Sequence, residues 1–143
     1  MAQPVTGGCL CGAVRFQFPA APIAARACWC RVCQYLAAGN ASVNAMFRTE
    51  GLTVTGELGD YVCQADSGNT MRRRFCRACG TQIFSESVAR PDIVVVRVGT
   101  LDDREAMRPS SYIWTASAPS WAVIDASLPS CEGQPGPVAA PPS

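Results

Sequence analysis

Apolar and polar residues alternate along most of this chain, and a period of two marks strands with one buried face. Residues 12–18 put Val14, Phe16 and Phe18 on one side and Arg15 and Gln17 on the other. Residues 42–48 repeat the pattern through Val43, Ala45 and Phe47. Shorter stretches at 51–55, 59–63, 70–76 and 111–115 predict further strands. The run DIVVVRVG, residues 92–99, is apolar at successive positions and predicts a strand covered on both faces. Only LDDREAM, 101–107, predicts a helical turn, with its acids placed early as a helix start prefers. PAAPIAARA, 19–27, reads as a connector with an apolar bias. Residues 129–143 hold five of the 11 prolines and almost nothing that could build a core, so they predict a loosely ordered tail behind a domain of residues 1–128. The fold class expected is all-β, made of small antiparallel sheets with little helix.

Composition adds limits. A chain of 143 residues suffices for one domain with a core. Its formal net charge of +1 carries no nucleic-acid footprint, and no apolar run reaches bilayer length. The opening MAQPVTGG lacks the basic and apolar regions of a secretory signal, so a cytoplasmic location with neither nucleic-acid nor membrane partners is expected. Two absences narrow the chemistry further. All 12 basic residues are arginine and no histidine occurs, which excludes Schiff-base lysines, P-loop lysines and every histidine-dependent triad, dyad or metal motif.

What remains is sulfur. Nine cysteines are many for a cytoplasmic chain, and their odd number argues against a purely disulfide framework. Seven form three compact groups: Cys9 and Cys11, then Cys28, Cys30 and Cys33, then Cys76 and Cys79 ahead of Gly80. In a strand, residues i and i+2 stand ~6.6–6.8 Å apart, at the far edge of disulfide reach. Zinc tolerates the spacing better, and CxxCG resembles a zinc knuckle in which Gly80 is free to take a positive φ. A closed structural site takes four ligands and a catalytic one commonly three. Seven clustered cysteines divide accordingly: CxCxxC is contiguous and wraps one ion, leaving Cys9, Cys11, Cys76 and Cys79 for the other. Two zinc ions per chain are expected, one catalytic and one structural. A second structural zinc, completed by Cys63 or Cys131, stays open as the alternative.

The motifs GGCLCGAVRF (7–16), CWCRVCQ (28–34), RRFCRACGTQIFS (73–85), VRVGTLDD (96–103) and SYIWTASAPSWAVIDASLP (111–129) resemble those of the glutathione-dependent formaldehyde-activating family, which shares its domain with centromere protein V. The resemblance implies a β-tent fold of antiparallel sheets. It also implies a closed zinc on Cys9, Cys11, Cys76 and Cys79 and a labile catalytic zinc on Cys28, Cys30 and Cys33. The activity it implies is a carbon–sulfur lyase reaction run toward synthesis, in which glutathione and formaldehyde give S-hydroxymethylglutathione. Two positions depart from the family pattern. Trp29 stands where many members have histidine or asparagine, and Tyr112 where members often have histidine.

Trp29 and Tyr112 are accordingly the expected substrate-binding residues, although the Trp29 ring could instead face the core. Trp114 and Trp121 are expected to pack under the sheets. Arg26 and Arg31 bracket the second motif, and Arg72, Arg73, Arg74 and Arg77 crowd the third. They could meet substrate carboxylates, offset thiolate charge, or form a solvated strand face, on which alternation sends Arg72 and Arg74 opposite to Arg73. Two other readings remain beside the expected one: the same three-cysteine site acting on another thiol adduct, imine or activated carbonyl, and a non-enzymatic zinc-stabilised binding module.

Overall fold

The computed structural model describes residues 3–136. Among these described residues there are ten strands: β1 Val5–Gly8, β2 Arg15–Phe18, β3 Ala24–Cys28, β4 Ser42–Arg48, β5 Thr53–Thr55, β6 Leu58–Gln64, β7 Thr70–Cys76, β8 Gln82–Ser87, β9 Ile93–Arg97 and β10 Tyr112–Ile113. One short α-helix, α1, covers Arg31–Leu36. Single 3-10 turns occupy Val98–Thr100, Glu105–Met107 and Thr115–Ser117. The chain is therefore mostly β, as its alternation requires. Among the described residues no helix is long and apolar enough to cross a membrane.

The strands form two sheets. The small one has the order β1-β2-β5, and the large one β10-β3-β4-β9-β8-β7-β6. Pairing is antiparallel except where β10 lies parallel to β3, with Ile113 beside Cys28. Phe16 and Phe18 of the small sheet face Phe84 and Phe47 of the large one. Phe18 and Phe47 stack with ring centroids 4.0 Å apart, and Phe16 meets Phe84 edge-on at 5.1 Å. Val14, Ala45, Ile83, Val94 and Val96 fill the rest of this inter-sheet core and are fully buried. The alternation of 12–18 thus describes a real buried face, although the strand begins only at Arg15.

β9 explains the unbroken run at 92–99. Val94 and Val96 point into the inter-sheet core, while Ile93, Val95 and Arg97 line a cavity on the other side of the large sheet. β4 shares this arrangement: Ala45 and Phe47 enter the core, and Asn44 and Met46 line the cavity. The large sheet therefore has one face for stability and one for a site.

Several elements were not expected. The alternation does not predict β1 or β8, and the connector at 19–27 ends in β3, which pairs along β4 from Ala24 to Cys28. α1 falls where the sequence predicts no helix; its six residues are too few to show a helical period. Residues 129–136, the start of the expected tail, run along β10: the Tyr112 amide donates to Pro129 O, and the Cys131 amide to Tyr112 O. Trp114 Nε1 donates to Gln134 Oε1 at 2.9 Å. Residues 137–143 of that tail lie outside the described residues.

Candidate metal centres

The first four-cysteine group closes between two tight turns. Cys9 leaves β1, and Gly12, at φ 83°, turns the chain back into β2. The Gly12 amide donates to Cys9 O, and the Cys9 amide to Val14 O. This CxC pair sits in a turn rather than on one face of a strand, which brings both sulfurs to the same point. Cys76 ends β7, and Gly80, at φ 78°, completes the second turn with its amide on Cys76 O. Backbone amides donate to the sulfurs themselves, from Val14 to Cys9 Sγ and from Ala78 and Cys79 to Cys76 Sγ, at 3.3–3.4 Å. Thr81 Oγ1 lies 3.0 Å from Cys79 Sγ, and this hydrogen bond is the main reason the Cys79 pKa falls to about 5.

The sulfur spacing tests the fit to a metal. Cys9 Sγ and Cys11 Sγ are 3.6 Å apart, and Cys11 Sγ and Cys76 Sγ 3.9 Å. A tetrahedron with zinc–sulfur bonds of about 2.3 Å has edges of about 3.8 Å. A disulfide would need about 2.05 Å, and all nine cysteines are free. The four sulfurs all lie within 4.8 Å of one another and could hold a metal ion.

The second group is built at the junction of β3 and α1. Cys28 ends the strand, and Cys30 caps the helix, its sulfur accepting from the Cys33 amide at 3.3 Å. The helix turn then returns Cys33 to the same side. These three sulfurs also lie mutually within 4.8 Å, and all three residues are buried. Cys33 is pulled down to about 3 by hydrogen bonds from Cys28 and Cys30, with the charges of Arg97 and Arg73 adding to the shift. Cys28 moves the opposite way, pushed up by its hydrogen bonds with Cys30 and Cys33 and by burial. Cys131 packs against this group but stands outside the set of mutually close sulfurs. Cys63 lies on β6 opposite Met71 and joins neither group.

Cys28, Cys30 and Cys33 line the cavity on the second face of the large sheet. Its volume, about 440 Å³, is in the range of small-molecule sites. Met46, Val95, Ile113 and Trp114 give it apolar walls. Trp29 does not line it: alternation along Cys28-Trp29-Cys30 sends the indole to the other side, where it is buried and meets Trp121 edge-on at 6.4 Å. Tyr112 is likewise not among the lining residues, since its neighbour Ile113 takes the inward position. Trp114, expected under the sheets, faces the cavity instead. It adopts the left-handed region at φ 59°, which reverses the chain into the 3-10 turn after β10. Trp121 is 63% exposed rather than packed beneath a sheet.

The arginines divide by strand face. Arg72 pairs with Asp60 at 2.7 Å, and Arg74 approaches Glu86 at 3.5 Å with its guanidinium over the Phe84 ring. Arg73 turns inward, is 6% exposed and lines the cavity. Arg26 lines it as well, whereas Arg31 lies over the Tyr35 ring. Arg97 belongs to no sequence motif that marks it as a site residue. It is 9% exposed, and its Nη1 donates to Asn44 Oδ1 at 2.6 Å and Ser42 Oγ at 3.3 Å. The available signal was a lone charge inside the valine run of β9.

No curated protein matches the chain. Its backbone is similar to the crystal structure of a Rhodobacter sphaeroides protein, a Northeast Structural Genomics target, at 25% identity and a TM-score of 0.53. The similarity covers 73% of this chain and 96% of that one, so it extends over nearly the whole of the smaller fold. The model of the glutathione-dependent formaldehyde-activating enzyme family matches residues 4–117, a span that takes in both cysteine groups and most of the cavity, and the chain therefore belongs to that family.

Proposed function

We propose that this protein is a zinc-dependent carbon–sulfur lyase that reversibly adds the thiol of glutathione to formaldehyde, giving S-hydroxymethylglutathione. In this reading Cys9, Cys11, Cys76 and Cys79 hold a structural zinc, and Cys28, Cys30 and Cys33 hold a catalytic one. The observation that carries it is the placement of the three-sulfur group on the cavity wall, while the four-sulfur group closes two surface turns. Three ligands with access to a small-molecule cavity are the ligand count of a catalytic site, and four are that of a closed one.

A zinc ion on three thiolates supplies a Lewis acid that keeps a substrate thiol ionised near neutral pH and polarises a carbonyl. The chain's own residues do the rest. The Cys33 amide holds Cys30 Sγ in place, and the Gln34 side chain ties α1 to Trp29 O and Ser117 O. Met46, Val95, Ile113 and Trp114 wall the cavity beside the three sulfurs, which stays open to solvent. The carbon–sulfur bond forms as the carbonyl π pair moves to oxygen. The thiol proton leaves to solvent and solvent returns one to the alkoxide, so no histidine base is required.

A second reading keeps the site and changes the partner to another thiol adduct, imine or activated carbonyl. The buried arginines of the cavity suit either reading, since glutathione itself carries two carboxylates. Magnetisation-exchange NMR on glutathione and formaldehyde at equilibrium tests the first reading. Catalytic amounts of the zinc-loaded protein should accelerate exchange, and Cys33→Ala should abolish the acceleration while leaving the fold intact. Unchanged exchange with two zincs bound would exclude formaldehyde and leave the second reading. Retained exchange in Cys33→Ala would remove the three-cysteine site from the chemistry.

A further inference from the structure

Arg97 and Arg73 stand in the cavity wall with donor atoms that nothing satisfies. Arg97 Nε and Nη2, and Arg73 Nε, are buried without a hydrogen-bond partner. The two groups that hold Arg97 Nη1, Asn44 Oδ1 and Ser42 Oγ, are neutral dipoles and balance no charge. Nearby carboxylates are otherwise engaged: Glu86 faces Arg72 and Arg74, and Asp66 accepts from the Arg31 amide. Among the described residues neither Arg73 nor Arg97 forms an ion pair with a carboxylate. Burying a guanidinium without a counter-charge is costly, and an unsatisfied donor adds to the cost.

The cysteine group offsets only part of this. Three thiolates around a divalent cation leave one net negative charge, against two positive charges from Arg73 and Arg97. Arg26 adds a third at the same wall, in register with Asn44 and Arg97 across β3, β4 and β9. The cavity therefore carries surplus positive charge beside its reactive group. Planar, forked guanidinium donors match a carboxylate.

We propose that Arg97 and Arg73 form a carboxylate subsite beside Cys28, Cys30 and Cys33, so that the protein selects a reactant bearing a carboxylate close to its reacting atom. The inference rests on the reading of this cavity as a substrate site and names the chemistry that site selects. The carboxylate comes from either the thiol partner or the carbonyl partner, as in a small 2-oxo acid.

The test measures binding and does not depend on turnover. Mercaptoacetate and its neutral isostere mercaptoacetamide are titrated into the zinc-loaded protein by calorimetry, with tryptophan fluorescence, to which the cavity-lining Trp114 contributes, as a second readout. The native chain should bind the acid about tenfold tighter than the amide, the factor expected of one charge-assisted contact. Arg97→Gln and Arg73→Gln should each bring the ratio close to one while leaving amide binding unchanged. If loss of the Asn44 contact unfolds Arg97→Gln, Arg73→Gln carries the test alone. Equal affinities in the native chain would overturn the proposal. So would a preference that survives in the folded variants, or variants that lose zinc with the ratio unchanged, since those arginines would then only balance thiolate charge.

Two further arms locate the source. If esterifying the glycine carboxylate of glutathione removes Arg97-dependent binding, the carboxylate comes from the thiol partner. If the ester binds as well as glutathione and glyoxylate displaces mercaptoacetate only when Arg97 is present, it comes from the carbonyl partner. The absence of both responses would overturn the subsite. Accelerated formaldehyde exchange alongside no acid preference would remove the subsite and leave the proposed function standing.

Discussion

A single residue's direction decides what it does here. Cys28, Trp29 and Cys30 are consecutive, yet two of them line the cavity and the indole between them is buried on the opposite side. The sequence left two orientations open for Trp29, and strand alternation chose one. Gln34 shows the same dependence on placement. It is buried, its Nε2 donates to Trp29 O at 2.8 Å and to Ser117 O at 3.0 Å, and its Oε1 accepts from Arg31. Nothing in the sequence marks a glutamine after CxCxxC as a brace. Gln34→Ala should strip both carbonyls of their donor and lower stability by about 1–3 kcal/mol, read as a reduced urea midpoint with zinc content unchanged. A variant as stable as the native chain would show that water replaces the side chain at both carbonyls.

Elements were legible in proportion to the number of residues that repeat their period. The sequence predicts β4 and β7 to their ends and β6 to within one residue of each end, and these are the seven-residue strands. β3 and α1 escaped, the first through its small residues and the second through its single turn of length. The motif VRVGTLDD turns out to join the sheets. Asp102 follows β9 and accepts a forked pair of hydrogen bonds from Arg15 of β2 and another from Thr6 of β1. Donation from Arg15, and then from Thr6, holds the Asp102 carboxyl below its usual range. A depressed folded pKa means that the unfolded chain takes up the proton more readily. The contribution is therefore present above the ordinary carboxylate range and is lost as pH falls through the lowered value. Both partners are about half exposed, so Asp102→Asn should cost about 0.2–1 kcal/mol at neutral pH. The gap in urea midpoint between variant and native chain should narrow as pH falls. A gap that widened would mean Asp102 is held by something other than charge.

At the scale of the molecule, the four-cysteine group clasps β1 to the end of β7 through residues distant in sequence. Structural zinc contributes about 10–16 kcal/mol in small domains, comparable to the whole net stability of about 5–15 kcal/mol. Cys79→Ser should therefore lose the near-UV circular dichroism of the fold, whereas Cys33→Ala should keep it. Strong chelators should reproduce the Cys79→Ser result; a chelated protein with unchanged near-UV signal would show that the two sheets hold without the clasp. The sequence by itself determined the all-β class, the free state expected of the cysteines and their division into four and three, because these depend on period, spacing and ligand count, all local quantities. Only the tertiary structure decided which wall those three cysteines share. Arg97 and Arg73 are 24 residues apart on strands separated by β8, and Arg26 lies on the far side of β4. Their convergence depends on strand order and on which face each side chain takes, which no local pattern encodes. A charged residue inside the valine run could be seen in the sequence, but its unsatisfied donors exist only once the sheet is assembled around it.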